Sequence, residues 1–193
     1  ILLKREKKNY LITGETFDAD KLLDEILTGE DKGGISRFFN NLNSNIKISL
    51  NKVFIGESDF LRPLKSEIRF KKNNLVNLDL LGDFVDNKKL NLTIRTKANN
   101  EKVTTLFAQN AKPLVKKYKF IKGFDEGSLD FYSIKKNNSL KSNSKLKINN
   151  FKLKEVPALT KILTLASLQG IADLLTGEGI RFDEFEMDFE NKK

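Results

Sequence analysis

Cysteine, histidine and tryptophan are absent from the 193 residues, and methionine occurs once. Without Cys there is no disulfide framework, no zinc finger and no thiol nucleophile. Without His there is no Ser-His-Asp triad and no imidazole base. An enzyme built on this chain would have to use carboxylates, Lys, Ser or Tyr, or a metal held by oxygen ligands. The lack of Cys fits a reducing and an oxidising compartment equally, so it does not place the chain. An initiator Met and a targeting signal are missing too: the sequence opens Ile1-Leu2-Leu3-Lys4-Arg5 and closes Phe189-Glu190-Asn191-Lys192-Lys193. Both ends fall in mid-pattern, and the expectation is one β-rich segment, 1–193, of a longer protein.

What is present is basic, with 35 Lys+Arg against 26 Asp+Glu and a formal charge of +9. Of the 35, 29 are Lys and 6 are Arg, beside 20 Asn and 15 Phe. Lys, Asn, Ile and Phe are residues that an AT-biased genome over-supplies, whereas nucleic-acid readers lean on Arg for bidentate contacts. The excess is read as solvated Lys on exposed faces, and no nucleic-acid partner is expected. The hydrophobic share is 39%, with 11 Gly besides. A chain of this size buries about 70% of its unfolded surface, so a folded core is expected rather than disorder.

Period-two alternation dominates. Ile46, Ile48 and Leu50 alternate with Lys47, Ser49 and Asn51. Leu64, Ser66, Ile68 and Phe70 do so with Lys65, Glu67 and Arg69, and Val76, Leu78 and Leu80 with Asn77 and Asp79. Leu90, Leu92 and Ile94 follow, then Leu129 and Phe131, then Leu146 and Ile148, then Phe185, Met187 and Phe189. Clusters such as Lys71-Lys72-Asn73-Asn74, Asp86-Asn87-Lys88-Lys89 and Asn99-Asn100 punctuate the runs as turns. The stretch 45–108 reads as an antiparallel meander with one apolar face, 124–154 as further strands and 180–190 as a last strand.

Three segments break the rhythm. Residues 18–28 have an acidic start and Gly29 at the end, the marks of a short helix. At 110–118, Asn110 stands before a brief helix with Pro113 near its first turn. From 157 to 175 only Lys161 and Asp173 are charged. Thr160, Thr164, Ser167, Gln169 and Gly170 argue against a membrane span and for two amphipathic helices hinged at Gly170.

The densest carboxylate run is Asp183-Glu184-Phe185-Glu186-Met187-Asp188-Phe189-Glu190. In a strand Glu184, Glu186, Asp188 and Glu190 share a face and could hold a hard cation, yet no calcium-type loop accompanies them. Cross-strand pairing with a Lys-rich neighbour accounts for them as well, so no metal and no cofactor are assigned. Gly177-Glu178-Gly179 lacks the Lys-Ser/Thr of a P-loop and reads as a helix stop and turn, and Gly123 to Gly127 reads as a connection into Leu129. No catalytic residue stands out. The apolar face of the sheet remains, either as an ordinary core or as a concave trough for acyl chains, and alternation is the same in both cases.

Residues Asn150 to Phe182, above all Leu165-Ala166-Ser167-Leu168-Gln169-Gly170 and Leu174-Leu175-Thr176-Gly177-Glu178-Gly179-Ile180-Arg181-Phe182, carry a resemblance. They resemble the AsmA-like C-terminal region of bacterial envelope proteins, the bridge-like lipid transporters of the YhdP, AsmA and TamB type. Thr105 to Ala111 and Phe124 to Leu129 look like the upstream element of that family, with Lys112 where a Gly is common and Asp125-Glu126-Gly127 in place of paired Gly. The two elements together span 103–185, and 1–102 agree in strand style.

The resemblance implies a mainly β fold, a curled antiparallel sheet forming an elongated hydrophobic groove with two or three short helical insertions. It implies a periplasmic protein of a Gram-negative bacterium, anchored in the inner membrane by a part outside this segment, and no enzyme. Phospholipids would pass between inner and outer membrane along the groove, with envelope proteins as further partners. The expected lining is Ile46, Ile48, Leu50, Ile68, Phe70, Leu78, Leu80, Leu92, Ile94, Phe131, Leu146, Ile148, Phe185, Met187 and Phe189. Leu159, Ile162, Leu163, Ala166, Ile171, Leu174 and Leu175 would cap the groove or meet a partner. The alternative is a structural or assembly module for outer-membrane biogenesis that binds no lipid.

Overall fold

The computed structural model describes residues 1–22, 43–72, 74–119, 121–136, 139, 141–154 and 179–192. Strand makes up 68% of it, in one curled sheet that does not close, with two short helices. The strands are β1 (Leu2–Glu6), β2 (Asn9–Asp18), β3 (Asn45–Phe54), β4 (Phe60–Leu61), β5 (Leu64–Lys71) and β6 (Asn74–Asp83). They continue as β7 (Lys89–Thr96), β8 (Lys102–Ala108), β9 (Phe124–Lys135), β10 (Lys141–Leu153) and β11 (Ile180–Lys192). The path across the sheet is β1-β2-β3-β5-β6-β7-β8-β9-β10-β11, with β4 paired to β3 beside it.

The 45–108 meander forms as the alternation requires, from β3 through β5, β6 and β7 to β8, all antiparallel. Its reversals use side chains that stabilise turns: Asp86 accepts the Lys88 amide and Asn99 the Glu101 amide, with Asn87 and Asn100 at positive φ. The β1–β2 hairpin ahead of it was not expected, because its turn is Lys7-Lys8 and Lys7 itself takes φ 54°. The β2–β3 pair is parallel, the one such pair among the described strands, and needs a crossover through 19–44.

The helix expected at 110–118 is α1 (Lys112–Lys117), with Pro in its first turn. Asn110 serves it one residue earlier than a formal N-cap, its side-chain oxygen accepting the Lys112 amide at 3.2 Å. At the 18–28 position β2 continues to Asp18, whose carboxylate accepts the Asp20 amide as a helical turn opens at 20–22. The rest of that segment lies outside the described residues. So does the 157–175 pair, with Leu159, Ile162, Leu163, Ala166, Ile171, Leu174 and Leu175. Among the described residues no helix is long and apolar enough to cross a membrane.

The stretch Gly123 to Gly127 differs from expectation. Strand β9 begins at Phe124, and Gly127 (φ 81°) and Asn150 (φ 52°) are skipped by the β9–β10 ladder. Asn150 and Asp183 are skipped in the same way between β10 and β11. A Cβ at Gly127 would lie 2.9 Å from the Asn149 carbonyl oxygen, so only Gly fits this bulge. The shared irregularity reverses side-chain parity in three strands at one level. Phe124, Phe151, Leu153 and Ile180 thereby turn inward, and Phe151 stacks between Phe124 and Phe182 at 5.3 and 5.2 Å. At this end of the sheet α1 packs against β9, and its Leu114 and Val115 are buried in the same hydrophobic core as Val53, Leu61 and Leu90.

Candidate functional site

The inward face consists of three tiers running across the strands, each fixed by backbone register. In the tier nearest α1 are Leu50, Leu64, Gly82, Leu90, Ala108, Leu129, Ile148 and Phe185. Gly82 is required there because Leu61 of β4 seats on it: a Cβ would come within 2.9 Å of the Leu61 side chain. The second tier is Ile48, Ser66, Leu80, Leu92, Leu106, Phe131, Leu146 and Met187. The third is Ile46, Ile68, Leu78, Ile94, Thr104, Ser133, Ser144 and Phe189. Phe70 follows Ile68 on the same side, after a bulge that pairs it with Leu75.

All fifteen expected lining residues therefore occupy one face of one sheet. Their accessibility divides them. Ile46, Leu50, Phe70, Leu78, Leu92, Ile94, Leu146 and Ile148 are buried within the chain. Ile48, Ile68, Leu80, Phe131, Phe185, Met187 and Phe189 are only partly covered. Three of these lie on β11, the strand that ends the described path. There the inner surface presents Phe185, Met187 and Phe189 in succession, with Phe131 6.4 Å from Phe189 between ring centres.

One feature of this face was not read from the sequence. In the third tier, Thr104, Ser133 and Ser144 interrupt the apolar surface on β8, β9 and β10, and Ser144 bonds to Ser133 between hydroxyls at 2.9 Å. Beyond them the ladder sets Lys102 opposite Lys135. The Ser and Thr residues at these positions sit inside otherwise alternating runs, and that substitution of hydroxyl for methyl is the only signal of the strip.

The outward face is ionic. Lys141, Lys145 and Lys147 of β10 pair with Glu190, Glu186 and Glu184 of β11 at 2.8, 2.6 and 2.7 Å. These bonds to carboxylates raise the affinity of Lys145 and Lys147 for their protons. The three glutamates of the acidic run are thus paired across the strands, as its alternation allowed. Lower on the same surface, Lys112 and Lys154 flank Asp125, and their hydrogen bonds hold its carboxyl well below the usual carboxylate range. Lys152 and Arg181 depress Glu126 in the same way.

A cleft of about 630 Å³ opens where β1, β2, β3, β5 and β6 present their outward side chains. Lys4, Glu6, Lys47, Glu67, Arg69 and Asp79 line it. Its lining is mixed: Lys4–Glu6 and Lys47–Glu67 are each paired at 3.1 Å, while Tyr10 and Leu11 add apolar surface, and of the expected apolar lining it reaches Ile46 and Ile68. Among the described residues no group of His, Cys, Asp or Glu side chains is arranged to hold a metal ion. No family model, no curated protein and no solved structure matches this chain.

Proposed function

We propose that the chain is a lipid-guiding segment of an AsmA-like envelope protein, in which phospholipid acyl chains lie along the inward face. The observation that carries this reading is the single apolar face shared by fifteen residues from seven strands, partly uncovered at β11. Lipid tails need apolar area and no directional partners, and Phe185, Met187, Phe189 and Phe131 offer that at the open end. Thr104, Ser133 and Ser144 then mark where the tail path stops and a headgroup meets polar surface. On this reading the protein works in the periplasm between inner and outer membrane, its anchor lies outside the segment, and it performs no chemistry.

The test is native mass spectrometry of the gently purified protein, followed by lipid extraction. Adducts of phospholipid mass are expected, and they should be lost in Met187→Asp and Phe189→Asp while circular dichroism stays unchanged. A clean apo mass, under conditions that preserve a known lipid complex, would overturn the proposal.

The burial of eight of the fifteen residues within the chain supports a second reading, a structural or assembly module that binds no lipid. A clean apo mass, with Leu92 and Ile94 governing stability, is its signature.

A further inference from the structure

Register places the β1–β2, β5–β6, β7–β8 and β9–β10 reversals at the same end of the sheet, next to the third tier. The connecting residues 7–8, 72–73, 97–101 and 136–140 contain one carboxylate, Glu101, which Lys97 binds at 2.7 Å. Against it stand Lys7, Lys8, Lys72 and Lys136, with Lys71 at the end of β5. All five are exposed, and none has an ion pair among the described residues.

Reversals at the other end are neutralised. Near α1, Lys88 pairs with Asp86, Lys89 with Asp83 and Lys116 with Asp59, at 3.3, 3.1 and 3.4 Å. Lys119 and Lys122 have no ion pair there either, but the tier of the inward face nearest to α1 is apolar. A coding bias towards Lys enriches every segment alike, so it does not explain why uncompensated ammonium groups gather along one rim. At that rim the inward face also turns polar. Thr104 and Ser144 are buried there, Ser144 bonds to Ser133 at 2.9 Å, and the next level sets Lys102 opposite Lys135.

We infer, building on the lipid-guiding reading, that this rim holds the headgroup and selects phospholipids of net negative charge. A phospholipid on the inward face meets the features in order: tails on the apolar tiers, ester groups at the hydroxyl strip and phosphate at the lysines. A zwitterionic headgroup carries its own cation beside the phosphate, and the rim repels that cation. An anionic headgroup carries none. Each lysine engaged contributes about fivefold in affinity. The headgroup's place also orients the lipid, with its tails running from the rim towards α1.

Native mass spectrometry of the delipidated protein, offered equal amounts of dioleoylphosphatidylglycerol and dioleoylphosphatidylcholine, reads the selection directly because the tails are identical. Phosphatidylglycerol adducts should exceed phosphatidylcholine adducts at least about fivefold at low ionic strength. The ratio should approach unity at about 0.5 M ammonium acetate, where screening acts within a few Å. Lys8→Gln/Lys71→Gln/Lys72→Gln/Lys136→Gln should bind the two lipids equally, whereas Lys88→Gln/Lys89→Gln should keep the preference. Inorganic phosphate should not displace the lipid. Equal adducts of both lipids on the wild type overturn the selection and leave the lipid-guiding reading standing. A preference that ignores salt, survives in the quadruple variant, disappears in the Lys88/Lys89 variant or yields to inorganic phosphate overturns the rim as its source. Absence of any adduct overturns the lipid-guiding reading itself, and the selection with it. The wild-type salt series decides the matter even where a variant folds poorly.

Discussion

Lys117, at the end of α1, donates to the main-chain carbonyl of Asp20 at 3.0 Å, across 97 positions of sequence. Its ammonium also pairs with the Asp20 carboxylate, and the Lys117 side chain is only 8% exposed. The bond fastens α1 to the chain just beyond β2. Its strength should differ from that of a surface pair such as Lys47–Glu67, where both side chains are 69% exposed. A double-mutant cycle on Lys117→Met and Asp20→Asn should give a coupling of about 1–3 kcal/mol by urea unfolding. The same cycle on Lys47 and Glu67 should give less than about 1 kcal/mol. Equal couplings would mean that burial does not strengthen the Lys117 contact.

Glycine at 127 answers a local demand for positive φ and for room beside the Asn149 carbonyl. Gly127→Ala should therefore destabilise the protein by about 1–3 kcal/mol, through strain and displacement of β10. Gly56 has nothing within 4 Å of its added Cβ and no positive φ. Gly56→Ala should be neutral or stabilising by up to about 1 kcal/mol, because it restrains the unfolded chain. Unfolding midpoints of the two variants decide the matter; the reverse order would show that the bulge adapts to a side chain.

The strand faces were readable because a period of two leaves no choice of side once the apolar residues alternate. Ile46, Ile68, Leu78 and Ile94 come from four strands and still meet in one tier. The β1–β2 hairpin was not readable, since Lys7 adopts a left-handed turn that its residue type does not announce. Nor was the parallel β2–β3 pair, which depends on a crossover rather than on local pattern. The parity reversal at Gly127, Asn150 and Asp183 depends on three strands acting together, although the inward turn of Phe151 and Phe182 records it in the spacing of their aromatic rings. Whether an apolar face is covered or open leaves no trace in alternation, because the next layer is not in the same stretch of sequence.

Acid should unlock the junction where β9, β10 and β11 meet. Asp125 holds its proton less readily in the folded protein than in the unfolded chain, because Lys112 and Lys154 bond to its carboxylate. A depressed folded pKa contributes stability above the unfolded value, near 3.9, and loses it as pH falls further. Stability from urea titrations should decline from about pH 5 towards pH 2, with Asp125→Asn showing a shallower slope below about pH 4. Parallel curves for the two proteins would remove Asp125 as a source of the decline. Glu126, paired with Lys152 and Arg181, titrates with the same sign.

Leu92 and Met187 share a tier but not an environment, and this separates a core from a trough. Leu92 is fully buried, so Leu92→Ala loses its transfer free energy and leaves a cavity, at a cost of about 2–5 kcal/mol. Met187 is partly covered at the last described strand, and truncation to Ala should cost only about 1 kcal/mol. If tails bind at the β11 end, added phospholipid should raise the melting temperature of the wild type and of Leu92→Ala by similar amounts. Met187→Asp should melt near the wild-type temperature without lipid and gain little from lipid. A uniform lipid effect on all three proteins would place binding elsewhere. No effect on any of them would leave the inward face as the core of a structural module, whose stability is set by Leu92 and its buried neighbours.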